Sequence, residues 1–280
     1  KGISMMNRKY WLVSVLSAFV LMLAACGSEE ETAQEDNEIT VVAQTTPMTD
    51  VVEIVAENIE EPYTVKLVEV ADNIQYNEAV FNDEADASFA QHEPFMEQFN
   101  EESDADLVAM EEIYNAIVGF YSPVYDSIDE LEDGAEVAIP SDPTNEARAL
   151  MILDEAGIIT LADDVTFEAS VDDIEENPKD LKFTHVDLLN LSASYEDGIP
   201  LVFNYPTYIE PIGLTPEDAV LLEDDDENTF ALRVVAREGN ADSDKIKALN
   251  KAFTSQEVYD FLDELAGKAH LEPAFEPGEE

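Results

Sequence analysis

The residues best suited to chemistry lie in Val137-Ala-Ile-Pro-Ser-Asp-Pro-Thr-Asn-Glu-Ala-Arg-Ala-Leu150. A short apolar strand, Val137 to Ile139, stops at Pro140. Ser141 and Asp142 are N-cap residue types, and Pro143 suits the first helical position. The pattern predicts a helix over 145–156, with Ala147, Leu150, Met151 and Ile152 available for its buried face. The first amides of a helix lack intrahelical partners and the dipole is positive there, so a helix start favours anions. Arg148 stands about one turn inside. There it can grip a carboxylate bidentately, beside the Thr144 hydroxyl and Asn145. The bland alternative is a capped surface helix with a solvated arginine.

Arginine is scarce. Outside the first segment only Arg148, Arg233 and Arg237 occur, and the last two read as strand-surface charges. Asn204 ends an apolar run and can offer its amide oxygen to an ammonium, or simply serve a strand-end turn. His92 can donate to a ligand or cap the helix that contains Pro94. Phe95, Met48, Tyr76 and Phe89 can wall an apolar slot suited to a thioether, or be plain core. His185 and His270 stand far from His92 and no His-x-x-x-His pair occurs, so zinc has no support and no cofactor is expected. A serine hydrolase would show Gly-x-Ser-x-Gly, which is absent. Facing carboxylates for a glycosidase arise by chance in so acidic a chain and carry no weight. No calcium loop has the required spacing, and the ten glycines are spread singly rather than in a phosphate loop.

These residues sit in a strongly acidic chain. Asp and Glu total 65 against 13 Lys and Arg, a formal charge of −52. Such a chain repels nucleic acid and anionic membrane surfaces as general partners. The acidic clusters at 29–31 and 223–227 read as solvated surface, and the composition suggests a halophilic or alkaliphilic source. The hydrophobic fraction of 45% is enough to build a core.

The N-terminus reads as an export signal. Arg8 and Lys9 precede an apolar run, Tyr10 to Leu23, shorter than the roughly 20 residues of a membrane span. The run ends Leu23-Ala24-Ala25-Cys26-Gly27, a lipobox in which Cys26, the single cysteine, takes the lipid (an acyl chain such as palmitate). Residues 1–26 are thus the expected signal peptide, and 27–38 an acidic tether without apolar period. The expected location is the outer face of the cell membrane, lipid-anchored at Cys26. The start methionine is Met5 or Met6.

Beyond the tether, strands and helices alternate, which predicts an α/β chain of parallel sheets with helices on both faces. Strands are expected at 39–43, 65–70, 86–91, 107–109, 113–121, 137–139, 181–186, 199–204 and 230–236. Helices are expected at 51–60, 73–81, 92–100, 127–131, 145–156, 171–176, 188–194, 244–254 and 255–268. No internal repeat is present, which disfavours a repetitive adhesin.

Four stretches together, Asp86-Ala-Ser-Phe-Ala-Gln-His-Glu-Pro-Phe95, Val137 to Leu150, Asn177-Pro-Lys and Ile212-Gly-Leu-Thr-Pro216, resemble the methionine-binding lipoproteins of ABC importers, the NlpA type. The resemblance covers Ile39 to about Lys268. It implies a two-lobed periplasmic-binding-protein-like fold of type II, with residues 39–118 and 206–280 in lobe one and 119–205 in lobe two. Crossings between lobes would fall near Ile117 to Tyr121 and Phe203 to Pro206. By resemblance Arg148 holds the ligand carboxylate, Asn204 contacts the amino-acid head group, and His92 and Phe95 face them from the other lobe. Two positions depart from the family pattern. Ala90 replaces an aromatic before Gln91-His92, with Phe89 one position earlier, and Leu232 stands where an asparagine is frequent. The implied protein is a monomeric binding protein, not an enzyme, delivering a methionine-like amino acid or short peptide to ABC permease subunits. The alternatives are an anchored hydrolase or a structural lipoprotein. Whatever its role, self-repulsion should destabilise so acidic a fold at low ionic strength. Thermal melting should show Tm rising between dilute buffer and about 1 M salt, where the screening length is about 3 Å; a Tm independent of salt would remove the adaptation argument.

Overall fold

The computed structural model describes residues 37–163, 165–224, 228–269 and 271–278. The signal peptide, Cys26, most of the tether and His270 lie outside the described residues. In chain order the elements are β1 (Glu38–Ala43), α1 (Met48–Asn58), β2 (Thr64–Glu69), α2 (Gln75–Phe81), β3 (Ala87–His92), α3 (Glu93–Ser103), β4 (Leu107–Ala116) and β5 (Gly119–Tyr121). They continue with β6 (Glu136–Pro140), α4 (Pro143–Glu155), β7 (Thr160–Leu161), β8 (Ile174–Glu176), β9 (Lys182–Val186), α5 (Leu191–Glu196), β10 (Leu201–Asn204), α6 (Pro206–Ile209) and β11 (Ala219–Leu222). The chain ends with β12 (Leu232–Arg237), α7 (Glu238–Ala241), α8 (Asp244–Phe253), α9 (Gln256–Ala269) and β13 (Leu271–Pro273). Ile39–Glu280 forms one compact unit. No helix among the described residues is long and apolar enough to cross a membrane.

Two large sheets organise that unit. The first has six strands in the order β13-β4-β12-β3-β1-β2, the second five in the order β11-β5-β10-β6-β9. Both are mixed, not parallel as expected. β1–β3, β6–β10 and β6–β9 pair in parallel, whereas β12 runs antiparallel to β3 and β4, and β5 antiparallel to β10 and β11. The reversals arise where the chain passes between sheets and enters the new one from the opposite end. The first passage, Ile117–Val118, separates β4 from β5. It splits an apolar run that reads as one strand in the sequence, and the expected strand at 107–109 is instead the start of a ten-residue β4.

The second passage falls between Leu222 and Leu232, not at Phe203 to Pro206. After Asn204 the chain turns into α6 and then adds β11 to the edge of the second sheet, where Leu222 pairs with Gly119. The Ala219–Leu222 run carries no alternation that would have marked it as a strand. The segment at 171–176 is a short 3-10 turn followed by β8, and 188–190 is a 3-10 turn leading into α5.

The helices obey their periodicity. α1 buries Met48, Val51, Val52 and Val55, spaced for one helical face, against the first sheet. β6 is buried from Val137 to Pro140, as a central strand covered on both faces must be. Each fully buried aliphatic or aromatic side chain contributes about 1.5–3 kcal/mol relative to exposure. One continuous buried cluster runs from Val51 and Phe253 in the first half to Leu150 and Phe203 in the second.

Gly119 is the tightest point of the first passage. A Cβ there would stand 2.7 Å from the Leu221 carbonyl oxygen and 3.0 Å from Leu222 Cδ2. A backbone oxygen cannot swing aside as a side chain can. Gly119→Ala should therefore destabilise the protein by about 1–3 kcal/mol, read as a Tm loss of roughly 2–4 °C per kcal/mol. An unchanged Tm would mean that β11 is not held against β5.

Candidate ligand cleft

A small cavity of about 50 Å³, partly open to solvent, lies between the two sheets. From the first half come Met48, Tyr76, Ala90, Gln91, His92, Phe95, Tyr114 and Leu232; from the second come Asn145, Leu188, Tyr205 and Tyr208. Among the described residues that line it, none carries a formal charge once His92 is neutral. The walls are chiefly aromatic and aliphatic, with amide and phenol groups spaced among them, the usual make-up of a small-molecule site.

Each polar group has its place fixed. His92 ends β3 and caps α3: its Nδ1 accepts from the Phe95 amide at 3.2 Å. The proton therefore sits on Nε2, which donates to Asn145 Oδ1 at 3.4 Å across the cavity. Burial, reinforced by the nearby Arg148 charge, lowers the His92 pKa to about 3, so the ring is neutral at ordinary pH. Asn145 Oδ1 also accepts from the Tyr205 hydroxyl at 2.6 Å. Burial pushes the Tyr205 phenol up to about 12. At the far end Gln44 donates to Asn73 at 2.8 Å and accepts from the Tyr208 hydroxyl at 3.2 Å. Gln91 and Asn77 exchange amide hydrogen bonds beside Tyr76.

Arg148 lies one layer behind this wall and is wholly buried. Its Nη1 donates to the Tyr205 hydroxyl at 3.0 Å, and its Nη2 to the Ala116 carbonyl at 3.0 Å. Its Nε donates to Glu223 Oε1 at 2.6 Å and its Nη2 to Glu223 Oε2, a two-pronged ion pair. Phe230 covers one side with its centroid 4.3 Å from Cζ, and Tyr205 stands at 5.3 Å. Burial opposes the guanidinium charge, but Glu223 outweighs it and holds the pKa above its usual value.

The sequence-predicted residues divide accordingly. Tyr76, His92, Phe95 and Asn145 line the cavity, as does Met48. Phe89, Thr144, Arg148 and Asn204 do not. Phe89 points to the other face of β3, where it packs on Tyr114 at 5.8 Å and Phe253 at 4.9 Å. A bulge explains this: Arg233 pairs with Gln91 and the next residue, Val234, with Phe89, so Ala90 is the extra residue. Thr144 turns to Asp142, which takes the expected anion position itself. Its Oδ1 accepts from the Asn145 amide at 3.0 Å and from Asn145 Nδ2 at 2.8 Å. The start of α4 is thus closed by its own cap, and Ser141 is not the cap. Burial raises the Asp142 pKa against the pull of those hydrogen bonds. Asn204 Nδ2 donates to Ser192 Oγ and its Oδ1 accepts from the Tyr205 amide, both at 3.0 Å.

Arg233 and Arg237 are not plain surface charges either. Arg233 joins Glu93, Glu112 and the Met110 carbonyl, and Arg237 holds the Ala85 and Val80 carbonyls. Sequence reasoning missed Tyr205 and Glu223. Tyr205 adjoins a candidate and could have been found. Glu223 was hidden in an acidic cluster read as solvated, yet its side chain is only 5% exposed.

Comparison with known proteins agrees with this architecture. The NlpA lipoprotein family profile matches residues 39–275. The D-methionine-binding lipoprotein MetQ of Salmonella typhi is 35% identical over 244 residues, covering 86% of this chain and 89% of that one. The crystal structure of a YaeC-family lipoprotein from Enterococcus faecalis V583 aligns with a TM-score of 0.77 at 48% identity, over 86% of this chain and all (100%) of that one. A nutrient-binding protein from Burkholderia cenocepacia, solved bound to methionine, aligns at 0.79 with 30% identity, over 85% and 100%. The two-lobed α/β binding-protein fold expected from the sequence is the fold of these structures.

The neutral His92 ring has a consequence for acid stability. Its folded pKa lies below the unfolded value near 6.5, so the unfolded chain takes up a proton first. Stability must then fall as pH drops from about 6.5 toward 3, at no more than about 1.4 kcal/mol per unit from this group. His92→Asn keeps an N-cap acceptor for α3 but removes the titration. Between pH 6.5 and 5 the wild type should lose about 1.6 kcal/mol more than the variant in urea unfolding; parallel losses would mean that His92 is not buried as a neutral ring.

Proposed function

The chain belongs to the NlpA lipoprotein family, and we propose from that premise that it is the substrate-binding lipoprotein of an ABC importer, a binding protein rather than an enzyme. Its ligand is a zwitterionic amino acid or short peptide with an apolar side chain, with methionine, as either isomer, foremost. The cleft lining carries this reading. Met48, Tyr76, Phe95 and Leu232 offer a polarisable apolar slot for a thioether. The neutral amides and phenols offer hydrogen bonds to a head group without the repulsion a fixed charge would give to one of its ends.

Arg148, directly behind Tyr205 and Ala116, is the cation placed to serve the ligand carboxylate. Asn145 and Tyr205 are the groups that pass it to the cavity. His92, Phe95 and Tyr76 meet the ligand from the opposite sheet. Asn204, Thr144 and Phe89 act on it only through neighbours: Asn204 by fixing Tyr205, Thr144 by its hydrogen bond to Asp142, and Phe89 by backing Tyr114. The lobes on this reading are residues 39–116 with 232–275, and 119–222, hinged at the two passages. Cys26 carries the lipid that holds a monomer at the outer face of the membrane, beside its permease, with residues up to 37 as tether, since Glu38 already belongs to β1.

Ala90 sets the breadth of the ligand range. Where a family aromatic would close the slot, a methyl group leaves it open, and lost dispersion contacts lower the preference for a slim ligand. Calorimetry on the wild type should therefore find L-methionine, D-methionine and methionine-containing dipeptides all bound, within about 1–3 kcal/mol of one another. Ala90→Phe should shift the balance toward free methionine by about tenfold. If only a sugar, a metal ion or an anion without an amino group binds, the reading of the cleft is wrong.

A further inference from the structure

Glu223 has no part in the cleft lining, yet it pairs with Arg148, the buried cation behind that lining. Its carboxylate takes the Nε and Nη2 edge of Arg148, the edge a ligand carboxylate would use for a two-pronged contact. Ala116 takes the second Nη2 hydrogen and Tyr205 one hydrogen of Nη1. Four of the five guanidinium hydrogens are therefore committed inside the protein.

Glu223 is itself held firmly. Its amide donates to the Val118 carbonyl at 2.9 Å, and the Val118 amide approaches its Oε2 at 3.5 Å. The ion pair consequently joins α4 to both passages between the sheets. It is also shut from solvent, at 0% and 5% side-chain exposure. Screening by water and salt is weak in such a place, so the two charges cancel locally.

We propose that Glu223 is an internal counter-carboxylate that competes with the ligand's carboxylate for Arg148 and so sets the affinity and charge selectivity of the cleft. This rests on the reading that Arg148 serves the ligand carboxylate. With Glu223 in place, an arriving carboxylate meets a neutral pair with one uncommitted Nη1 hydrogen. It gains little over a neutral head group unless it displaces Glu223. The consequence is a ligand held reversibly, and a cleft that tolerates blocked or peptide-linked carboxyl groups.

The test uses two ligands, L-methionine and L-methioninamide; the amide keeps the thioether and amino group but has no carboxylate. Glu223→Gln is close to isosteric and keeps one acceptor for Arg148 while removing the competing charge. Arg148→Ala is the poorer test, because it removes the cation that serves the ligand together with the ion pair and cannot separate the two. Calorimetry at pH 7 should find that E223Q binds methionine at least about tenfold more tightly than wild type while its affinity for the amide stays within about threefold. Glu223→Asp, which keeps the charge on a shorter arm, should stay closer to wild type than to E223Q; thermal melting identifies any variant that fails to fold, and E223D against wild type then carries the comparison. A wild type that already prefers methionine strongly, with E223Q leaving that preference unchanged or lower, overturns the proposal. So does an E223D that matches E223Q, since packing rather than charge would then be responsible. Equal binding of both ligands by wild type, E223Q and E223D would instead overturn the Arg148 reading beneath it.

Discussion

A buried guanidinium must be paired, and the second half of this structure is arranged around that requirement. Arg148 leaves water completely, at a cost of several kcal/mol that only close partners can offset. Those partners come from every segment that meets at the base of the cleft. Ala116 ends β4, the strand of the first sheet that leads into the first passage, Tyr205 follows the central β10, and Glu223 opens the return passage. A single side chain thus fixes the relative positions of α4, both passages and the wall of the cavity. The hydrophobic cluster beneath supplies most of the stability, but it is non-directional. The arginine supplies direction.

From that pair a polarised chain of hydrogen bonds runs outward. Arg148 donates to Tyr205, Tyr205 to Asn145, and His92 reaches the same Asn145 oxygen from the other sheet. Each donor and acceptor in it has a fixed role, because the Phe95 amide dictates the His92 tautomer and Asp142 dictates the Asn145 orientation. Opposite it, aromatic and aliphatic groups from β3, α2 and β12 present no charge. Hydrogen-bonding groups and apolar walls thereby share one cavity, the make-up of a small-molecule site.

The legible parts of this were the local ones. Strand, proline and cap in Val137 to Pro143 dictate a helix whatever surrounds them, and α4 starts at Pro143. His92, Phe95 and Tyr76 were found because their neighbours encode a strand and two helix starts. What failed was non-local. The bulge that turns Phe89 away depends on how β12 pairs with β3, some 140 residues apart in the chain. The Asp142 side chain closes the helix start because Asn145 and Thr144 fold back onto it, which types and spacing permit without requiring. Glu223 read as one more solvated acid among 65; only its place against Val118 makes it the partner of Arg148. The mixed character of the sheets follows likewise from where the chain crosses, and the second crossing had no signal in its residues.

The contrast between surface and cleft also bears on the ligand. The chain carries a formal charge of −52, whereas the described lining of the cavity is neutral. The long-range field of such a protein repels anions and attracts cations before any contact is made. A free anion would have to climb that potential, and a cation, once inside, would find no carboxylate lining the wall to neutralise it. A zwitterion has no net charge, so the field neither repels nor concentrates it. Screening within about 10 Å at ordinary ionic strength confines the field to the mouth of the cleft. Beyond the mouth, recognition is left to the aromatic slot and to the arginine behind it, whose charge Glu223 already balances.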